Sequence, residues 1–258
     1  MRQFDVVTLR REHDSIAVVA MEEREHKNTF TLRLINGLKE AMAAIQSDTS
    51  FKVVVVHGFD NYFCCGGTKE ELLDLSDGVN KEAGEGRVQF TDLNFHDLFL
   101  GCEIPVIAAM QGHALGAGLS LGCTADIVFM GEQCLYSAIF MKYGFTPGFG
   151  ATYIIPKKLG ETLGYEMLIS ADNFYGRQLK ERGAPVRIVS KEHVIPEALA
   201  MARQLADKPR LSLTVLKEHM NRALRKEFQQ AVEDELHMHQ ITFDQPEIRR
   251  RIEQLFGR

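Results

Sequence analysis

Four consecutive valines, Val53 to Val56, constrain the fold more than any other part of the sequence. Successive side chains of a β-strand point to opposite faces of its sheet, so this strand has no polar face to turn towards water. Such strands are typical of parallel sheets that helices cover on both sides. Short apolar segments at residues 105–110 and 126–130 repeat the pattern, with helical or glycine-rich segments between them. We therefore predict an α/β fold with mostly parallel strand pairing.

The amino-terminal segment predicts a different arrangement. Residues 6–9 and 16–21 are short apolar stretches on either side of a polar turn, which is typical of a β-hairpin. An amphipathic helix follows, with apolar residues at three- and four-residue spacing, and Asn28 or Thr29 is its predicted cap.

The carboxy-terminal segment is predicted to be helical. Strand signals fade after about residue 190, and residues 196–205 and 211–256 have the periodicity of amphipathic helices. We therefore expect an α/β core over residues 1–190 and a helical region over residues 191–258.

Charge and hydropathy exclude several classes of partner. Thirty lysines and arginines against 35 aspartates and glutamates give a net charge of −5, which does not indicate a broad surface for nucleic acid. No apolar run approaches the roughly 20 residues that cross a bilayer, and the polar first residues lack the apolar core of a secretory signal. We expect a cytoplasmic protein that binds neither nucleic acid nor membranes.

The cysteines predict neither a disulfide framework nor a metal site. They are odd in number, they lie in apolar surroundings, and two of them are adjacent, which is poor geometry for one tetrahedral metal. We interpret all five as buried, reduced thiols: Cys64, Cys65, Cys102, Cys123 and Cys134.

Two glycine-rich segments stand between a strand and a predicted helix, at residues 63–68 (FCCGGT) and 112–118 (GHALGAG). Small residues let a ligand approach the backbone, and the first N–H groups of a helix are free to bind an anion or a developing oxyanion. Two such segments facing each other would hold one oxygen atom from two sides. The alternative for either segment alone is close packing of a helix against a sheet at glycine.

Several motifs in register cover nearly the whole chain: REHKNTF (24–30), VVVVHG (53–58), FCCGG (63–67), IPVIAAMQGHALGAGLSLGCTADIVF (104–129) and GFTPGFG (144–150). Together they resemble the crotonase (enoyl-CoA hydratase/isomerase) superfamily. The resemblance implies a spiral of ββα units followed by a helical trimerisation region. It also implies an acyl-thioester substrate on coenzyme A or a carrier protein, and a homotrimer or a dimer of trimers.

The same resemblance implies an oxyanion hole that binds the thioester carbonyl. Its two backbone N–H donors fall on Gly67 and Ala117. Further substrate-binding positions fall on their neighbours and on a lysine in the region that contacts the nucleotide end of the cofactor: Gly66, Gly116, Gly118 and Lys27.

The catalytic glutamates of the hydratases in this superfamily are missing. Their positions correspond to Ser120 and Phe140, and neither side chain can act as a carboxylate acid or base. Further motifs resemble the decarboxylase branch found in polyketide β-branching cassettes: FTDLN (90–94), CEIPVIAAMQGH (102–113), MKYGFTPGFGAT (141–152) and IPKKLG (155–160). That branch implies loss of CO2 from a 3-methylglutaconyl thioester, which leaves a 3-methylcrotonyl or 3-butenoyl-type thioester.

A histidine of the last long helix is the predicted proton donor. Phe228, Val232, Leu236 and Phe243 form an apolar stripe, and His239 fills a gap in it at three- and four-residue spacing. A lone histidine on such a stripe is often a core residue, but the decarboxylase branch has its catalytic histidine at this position. His237 is predicted to face elsewhere, and Glu235 is placed to orient or polarise the ring of His239.

A cation is needed to hold the substrate carboxylate. The polar, glycine-punctuated residues 76–87 predict a loop or lid. The resemblance places a catalytic lysine just before FTDLN, where this sequence has Arg87, with Lys81 six residues earlier. Both residues are therefore candidates, and two solvated loop charges are the alternative.

Local basic clusters are candidates for binding an acidic acyl-carrier protein. They are Lys157 with Lys158, Arg222 with Arg225 and Lys226, and Arg249 to Arg251. We expect no cofactor beyond the phosphopantetheine or coenzyme A that carries the substrate. A dehydratase or isomerase, and a non-catalytic acyl-thioester-binding subunit, remain as alternative functions.

Overall fold

A computed structural model describes residues 1–76 and 95–257. Its strands are β1 Arg2–Phe4, β2 Val7–Glu12, β3 Ile16–Met21, β4 Val53–His57, β5 Tyr62–Cys64, β6 Val106–Met110, β7 His113–Leu115, β8 Ile127–Gly131, β9 Leu135–Ser137, β10 Phe174–Tyr175 and β11 Arg187–Val189. Its helices are α1 Leu32–Gln46, α2 Lys69–Ser76, α3 Ala117–Cys123, α4 Phe140–Tyr143, α5 Ala151–Leu159, α6 Glu161–Ser170, α7 Gly176–Glu181, α8 Lys191–Ala206, α9 Arg210–Thr242 and α10 Ile248–Leu255.

The larger sheet confirms the predicted α/β fold. Its strand order over the described residues is β1-β2-β3-β4-β6-β8-β11. In this sheet, β3, β4, β6, β8 and β11 pair in parallel. Strands β2 and β3 form the predicted antiparallel hairpin, and β1 pairs antiparallel with β2.

The four valines of β4 are covered on both faces, as predicted. Val54 and Val56 belong to the main core, which also contains the buried side chains of α1. Val53 and Val55 belong to a second cluster, in which α8 contributes Val194 among other residues. Because α8 covers one face of the sheet, the sheet's core extends past residue 190.

A smaller sheet, with the order β10-β9-β7-β5, was not predicted. Two of its strands, β5 and β7, belong to the glycine-rich segments and pair in parallel, with Tyr62 opposite His113 and Cys64 opposite Ala114. Strands of three residues are too short to show a period of two, which is why the sequence did not predict them. Their pairing places the two glycine-rich segments side by side.

The helices show two further differences from the prediction. The cap of α1 is Thr31, whose side chain accepts a hydrogen bond from the Leu34 N–H, rather than Asn28 or Thr29. On α9, Glu235 is 1% exposed and Leu236 is 37% exposed, so the carboxylate takes the inward position that the stripe had assigned to leucine. No helix in the described ranges is both long and apolar enough to span a membrane.

Candidate active site

A cavity of about 1050 Å³ lies where the glycine-rich segments, the Gly144–Gly150 turn and α9 meet. Most of the predicted site residues in the described ranges line it: Lys27, Gly66, Gly67, Gly116, Ala117 and His239. Residues far apart in the sequence therefore share one cavity. Its volume is larger than a small acyl group alone would fill. A thioester with its pantetheine arm fits a cavity of this size.

The two glycine-rich segments touch each other at this cavity. A Cβ atom at Gly66 would lie 2.8 Å from the Leu115 carbonyl oxygen and 3.4 Å from the Ala117 nitrogen. Gly116 has φ 53, a left-handed conformation that glycine tolerates, and Ala117 then begins α3. The N–H of a first helical residue has no acceptor within its own helix. Ala117 can therefore donate into the cavity beside Gly67.

Gly118 has a different position from its neighbours. A Cβ atom there would lie 2.2 Å from the Cys64 carbonyl oxygen, and Gly118 is not among the residues that line the cavity. The structure therefore places it outside the cavity wall, where its small size allows α3 to pack against β5.

The two positions that correspond to hydratase glutamates differ in their surroundings. Ser120 is fully buried in α3, with its hydroxyl 3.5 Å from the Gly116 carbonyl oxygen. Phe140 lines the cavity, and its ring would lie 3.8 Å from a Cβ atom at Gly116. An aromatic ring thus lies beside the predicted oxyanion hole, at a position where the resemblance predicts a glutamate in hydratases.

Aromatic side chains form a wall that continues from Phe140 to His239. The rings of Phe140 and Phe145 are 6.3 Å apart, and Phe145 stacks on Phe243 at 4.4 Å. The imidazole of His239 meets Phe145 and Phe243 edge-on, at 6.2 and 5.2 Å. A histidine in such a setting loses much of its contact with water, and burial lowers its pKa below the usual value of 6.5.

The orientation of His239 is set by a backbone contact. Its Nε2 donates to the Thr146 carbonyl oxygen at 2.9 Å. A carbonyl oxygen only accepts, so Nε2 carries the hydrogen of the neutral ring and Nδ1 is left without one. His237, two residues away, is exposed, as predicted.

Glu235 was predicted to orient or polarise the ring of His239; it lines the cavity, but its carboxylate is hydrogen-bonded to other groups. Its carboxylate accepts hydrogen bonds from the Gly150 and Thr152 N–H groups at 2.6 and 2.7 Å and from the Thr152 hydroxyl at 2.6 Å. Burial raises its pKa to about 7, against the opposing effect of these donors.

Three further residues, for which the sequence predicted no role, also line the cavity. His96 is 6% exposed, with Nε2 3.5 Å from the Gln229 side-chain oxygen. Phe149 has φ 66, unusual for a side chain of its size, and stacks on Phe30 at 5.3 Å. Burial raises the pKa of Tyr143 to about 12. These residues lie in turns and short helices, where periodicity does not report which side faces the cavity.

Lys81, Arg87 and the FTDLN motif lie outside the described residues. Lys27 lines the cavity, with its amine 5.5 Å from the centre of the Tyr62 ring. Of the predicted basic clusters, Lys157 and Lys158 do not form a surface pair, because the Lys158 amine points inward and donates to the Ala125 carbonyl oxygen at 2.7 Å. Arg225 is paired with Glu218.

The fold and the paired glycine-rich segments define a class of acyl-thioester enzymes. The chain belongs to the enoyl-CoA hydratase/isomerase family, whose model matches residues 11–256.

Within that family, the chain is similar to several decarboxylases. It is 44% identical over 252 residues to the bacillaene synthase decarboxylase PksI of Bacillus subtilis, and the aligned region covers 98% of each chain. It superimposes with a TM-score of 0.93 and 43% identity on a structure from a dehydratase/decarboxylase enzyme couple involved in polyketide β-branching, over 98% of this chain and 100% of that one. For the decarboxylase domain of CurF from Lyngbya majuscula, the TM-score is 0.91 and the identity 38%, with the same coverage.

Proposed function

We propose that the protein decarboxylates a 3-methylglutaconyl thioester in polyketide β-branching. One combined observation carries the proposal. The cavity is lined by His239, by the predicted oxyanion-hole residues Gly67 and Ala117, and by Phe140 in place of a predicted hydratase glutamate. The chain is also similar, over 98% of its length, to the decarboxylase PksI and to a structure from a polyketide β-branching enzyme couple.

Loss of CO2 next to an enoyl thioester leaves a dienolate, whose negative charge collects on the thioester oxygen. The N–H groups of Gly67 and Ala117 would bind that oxygen, and donors that are already oriented need no rearrangement as the charge develops. This chemistry uses the thioester itself as the electron sink. We therefore propose that the reaction needs neither a metal nor a further organic cofactor.

The dienolate must then receive a proton on carbon. His239 is the candidate donor, since it is held by Thr146 at the cavity wall and lies among aromatic rings. The apolar wall formed by Phe140, Phe145 and Phe243 would also limit the access of water, which favours protonation by the imidazolium over hydration of the double bond. Arg87 and Lys81 remain the predicted candidates for holding the substrate carboxylate before CO2 leaves.

The substrate carrier is proposed to be an acyl-carrier protein. The remaining basic groups near α9 and α10 support this partner, since a phosphopantetheine arm and an acidic carrier would both favour positive charge. Lys226 and Arg250 are exposed, whereas Arg222 and Arg225 both pair with Glu218.

The activity is tested by mass spectrometry of the substrate. The protein is incubated with 3-methylglutaconyl thioester on coenzyme A and, separately, on a carrier protein, in the presence of EDTA and without added cofactor. The expected product has lost CO2. A gain or loss of water, or movement of the double bond without CO2 loss, would instead identify a hydratase, dehydratase or isomerase.

Two matched variants separate catalysis from binding. His239→Ala should lower kcat by at least about 100-fold, a size typical for general acids, while the thioester still binds. His237→Ala, on the exposed side of the same helix turn, should keep the wild-type rate. Equal rates of CO2 loss in both variants would identify another proton donor, whereas thioester binding without CO2 loss in the wild type would favour the non-catalytic alternative.

A further inference from the structure

Glu235 is a buried carboxylate that the proposed mechanism does not use. It lies on the inward line of α9, one helical turn before His239, and is 1% exposed. Each of its oxygens already accepts a hydrogen bond, from Gly150 on one side and from Thr152 on the other. Its oxygens are therefore engaged with the protein.

These hydrogen bonds supply a cap for α5. Gly150 is the cap residue of that helix and has no side chain with which to accept an N–H, and Thr152 is the second residue of the helix. A carboxylate at a helix amino terminus satisfies free N–H groups and is favoured by the helix dipole. Here the cap comes from α9, so the start of α5 is tied to the helix that carries His239.

The same turn also contacts His239 at its other end. Thr146 accepts from His239 through its carbonyl oxygen, and its hydroxyl lies 3.0 Å from the Thr242 hydroxyl. A Cβ atom at Gly148 would lie 2.4 Å from Cε1 of His239, so the backbone of the turn lies directly against the imidazole. Three side chains of one face of α9 therefore hold one turn: Glu235, His239 and Thr242.

We propose that Glu235 is a positioning residue: by anchoring the end of the Gly144–Gly150 turn to α9, it keeps the Thr146 carbonyl in place and so holds His239 in a single orientation and tautomer. The inference rests on the proposed function for its kinetic consequence. Its structural part, the tautomer of His239, is independent of the reaction.

The experiment compares three variants with the wild type. Glu235→Gln keeps the shape but replaces one carboxylate oxygen with an NH2 group, which donates and cannot accept, so one of the N–H groups of Gly150 and Thr152 loses its acceptor. Thr152→Val removes the hydroxyl donor and leaves the N–H. Asp234→Asn is the control, because it removes a carboxylate from the exposed face of the adjacent position.

The kinetic readout is the division of the effect between kcat and KM. For Glu235→Gln we expect kcat to fall by about 10- to 100-fold, as small displacements of catalytic groups typically cause, with KM within about threefold of the wild type. Thr152→Val should show a smaller loss in kcat, and Asp234→Asn none. An unchanged kcat in Glu235→Gln, or a loss confined to KM, would overturn the proposal.

The spectroscopic readout is the ¹⁵N spectrum of the histidine side chains, assigned with His239→Ala. The wild type should show His239 with its hydrogen on Nε2, and Glu235→Gln should show a mixture of tautomers. An unchanged single tautomer would overturn the proposal even if stability fell. Should the wild type fail to decarboxylate, the proposed function is wrong, while the tautomer measurement still decides the role of Glu235.

Discussion

The proposed chemistry depends most on one side chain, the imidazole of His239. Burial lowers its pKa below 6.5, and the carbonyl oxygens of Thr146 and Pro147 partly oppose this change. The neutral form is thus favoured at neutral pH, although the proton donor is the imidazolium. The apolar wall that excludes water therefore also limits the fraction of His239 that is ready to donate.

A pH profile follows from this shift. Since kcat/KM reports the free enzyme, it should rise as the pH falls and level off below an apparent pKa that lies under 6.5. Steady-state rates with the coenzyme A thioester across the pH range measure it. His237→Ala should leave the profile unchanged. Because burial raises the pKa of Glu235 to about 7, the profile is also recorded for Glu235→Gln, and an apparent pKa above 6.5 in both proteins would contradict His239 as the donor.

The predicted oxyanion hole can be tested by removing the N–H group of Ala117. Proline is tolerated at the first position of a helix, and the preceding Gly116 has no Cβ to clash with the proline ring, so Ala117→Pro should remove the N–H with little effect on folding. We expect kcat to fall by about 100- to 1000-fold, as for other oxyanion-hole donors. Ala117→Ser, which keeps the N–H, is the control. A rate near that of the wild type in the proline variant would exclude this donor.

At the scale of elements, the 33-residue helix α9 is attached to the sheet by a buried ion pair as well as by its apolar face. The amine of Lys217 lies 2.8 Å from the Asp126 carboxylate and donates to the Phe99 and Ile104 carbonyl oxygens. Asp126 also accepts from the Val106 N–H, at the start of β6. The amino-terminal half of α9 is thereby fixed relative to the sheet that carries the site.

Removing the charge of Lys217 should therefore be costly. In Lys217→Met, the Asp126 carboxylate loses its closest counter-charge in a partly buried position, and we expect the free energy of unfolding to fall by about 3 kcal/mol. Urea unfolding followed by circular dichroism measures the change. Lys226→Met on the exposed side of α9 should change it by less than about 0.5 kcal/mol. A similar small effect for both lysines would show that the ion pair does not stabilise the attachment.

Helix α9 also shows how much the spacing of apolar residues can predict about which side chains are buried. The apolar spacing of α9 correctly placed Phe228, Val232, His239 and Phe243 on one side. It assigned Leu236 to the buried side instead of Glu235, because a pattern of hydropathy treats a carboxylate as a surface residue. Only the nearby start of α5, with its free N–H groups, makes burial of Glu235 favourable.

At the scale of the whole molecule, α9 has an apolar face that a single chain leaves exposed. Leu211, Val215, Leu216 and Met220 are all more than half exposed. Exposed apolar side chains clustered on one helix are typical of an interaction surface. They agree with the expectation that copies of the chain associate as a trimer or a dimer of trimers, which remains a prediction.

Light scattering tests this expectation. A chain of 29.1 kDa should be observed at three or six times that mass. Met220→Glu places a charge in the exposed apolar face and should lower the mass towards that of one chain, whereas Glu197→Lys on the exposed side of α8 should not. A single-chain mass for the wild type would contradict the prediction.

The sequence by itself determined the parallel α/β core and the two glycine-rich segments. Consecutive valines place apolar side chains on both faces of a strand, so both faces must be covered. Clustered glycines indicate where another group can approach the backbone closely. The inward direction of His239 also followed from helical spacing. These features depend on the spacing of apolar residues within one helix or strand, or on the identity of a few neighbouring residues.

The tertiary structure alone decided the rest of the site. The structure shows that β5 pairs with β7 and that Phe140 lies beside the predicted oxyanion hole. It also shows that Gly118 packs against Cys64 and that Glu235 accepts a hydrogen bond from Gly150 at the start of α5. Each of these features is a contact between segments that are distant in sequence. Such contacts depend on the relative positions of packed elements, and no local pattern of residue types records them.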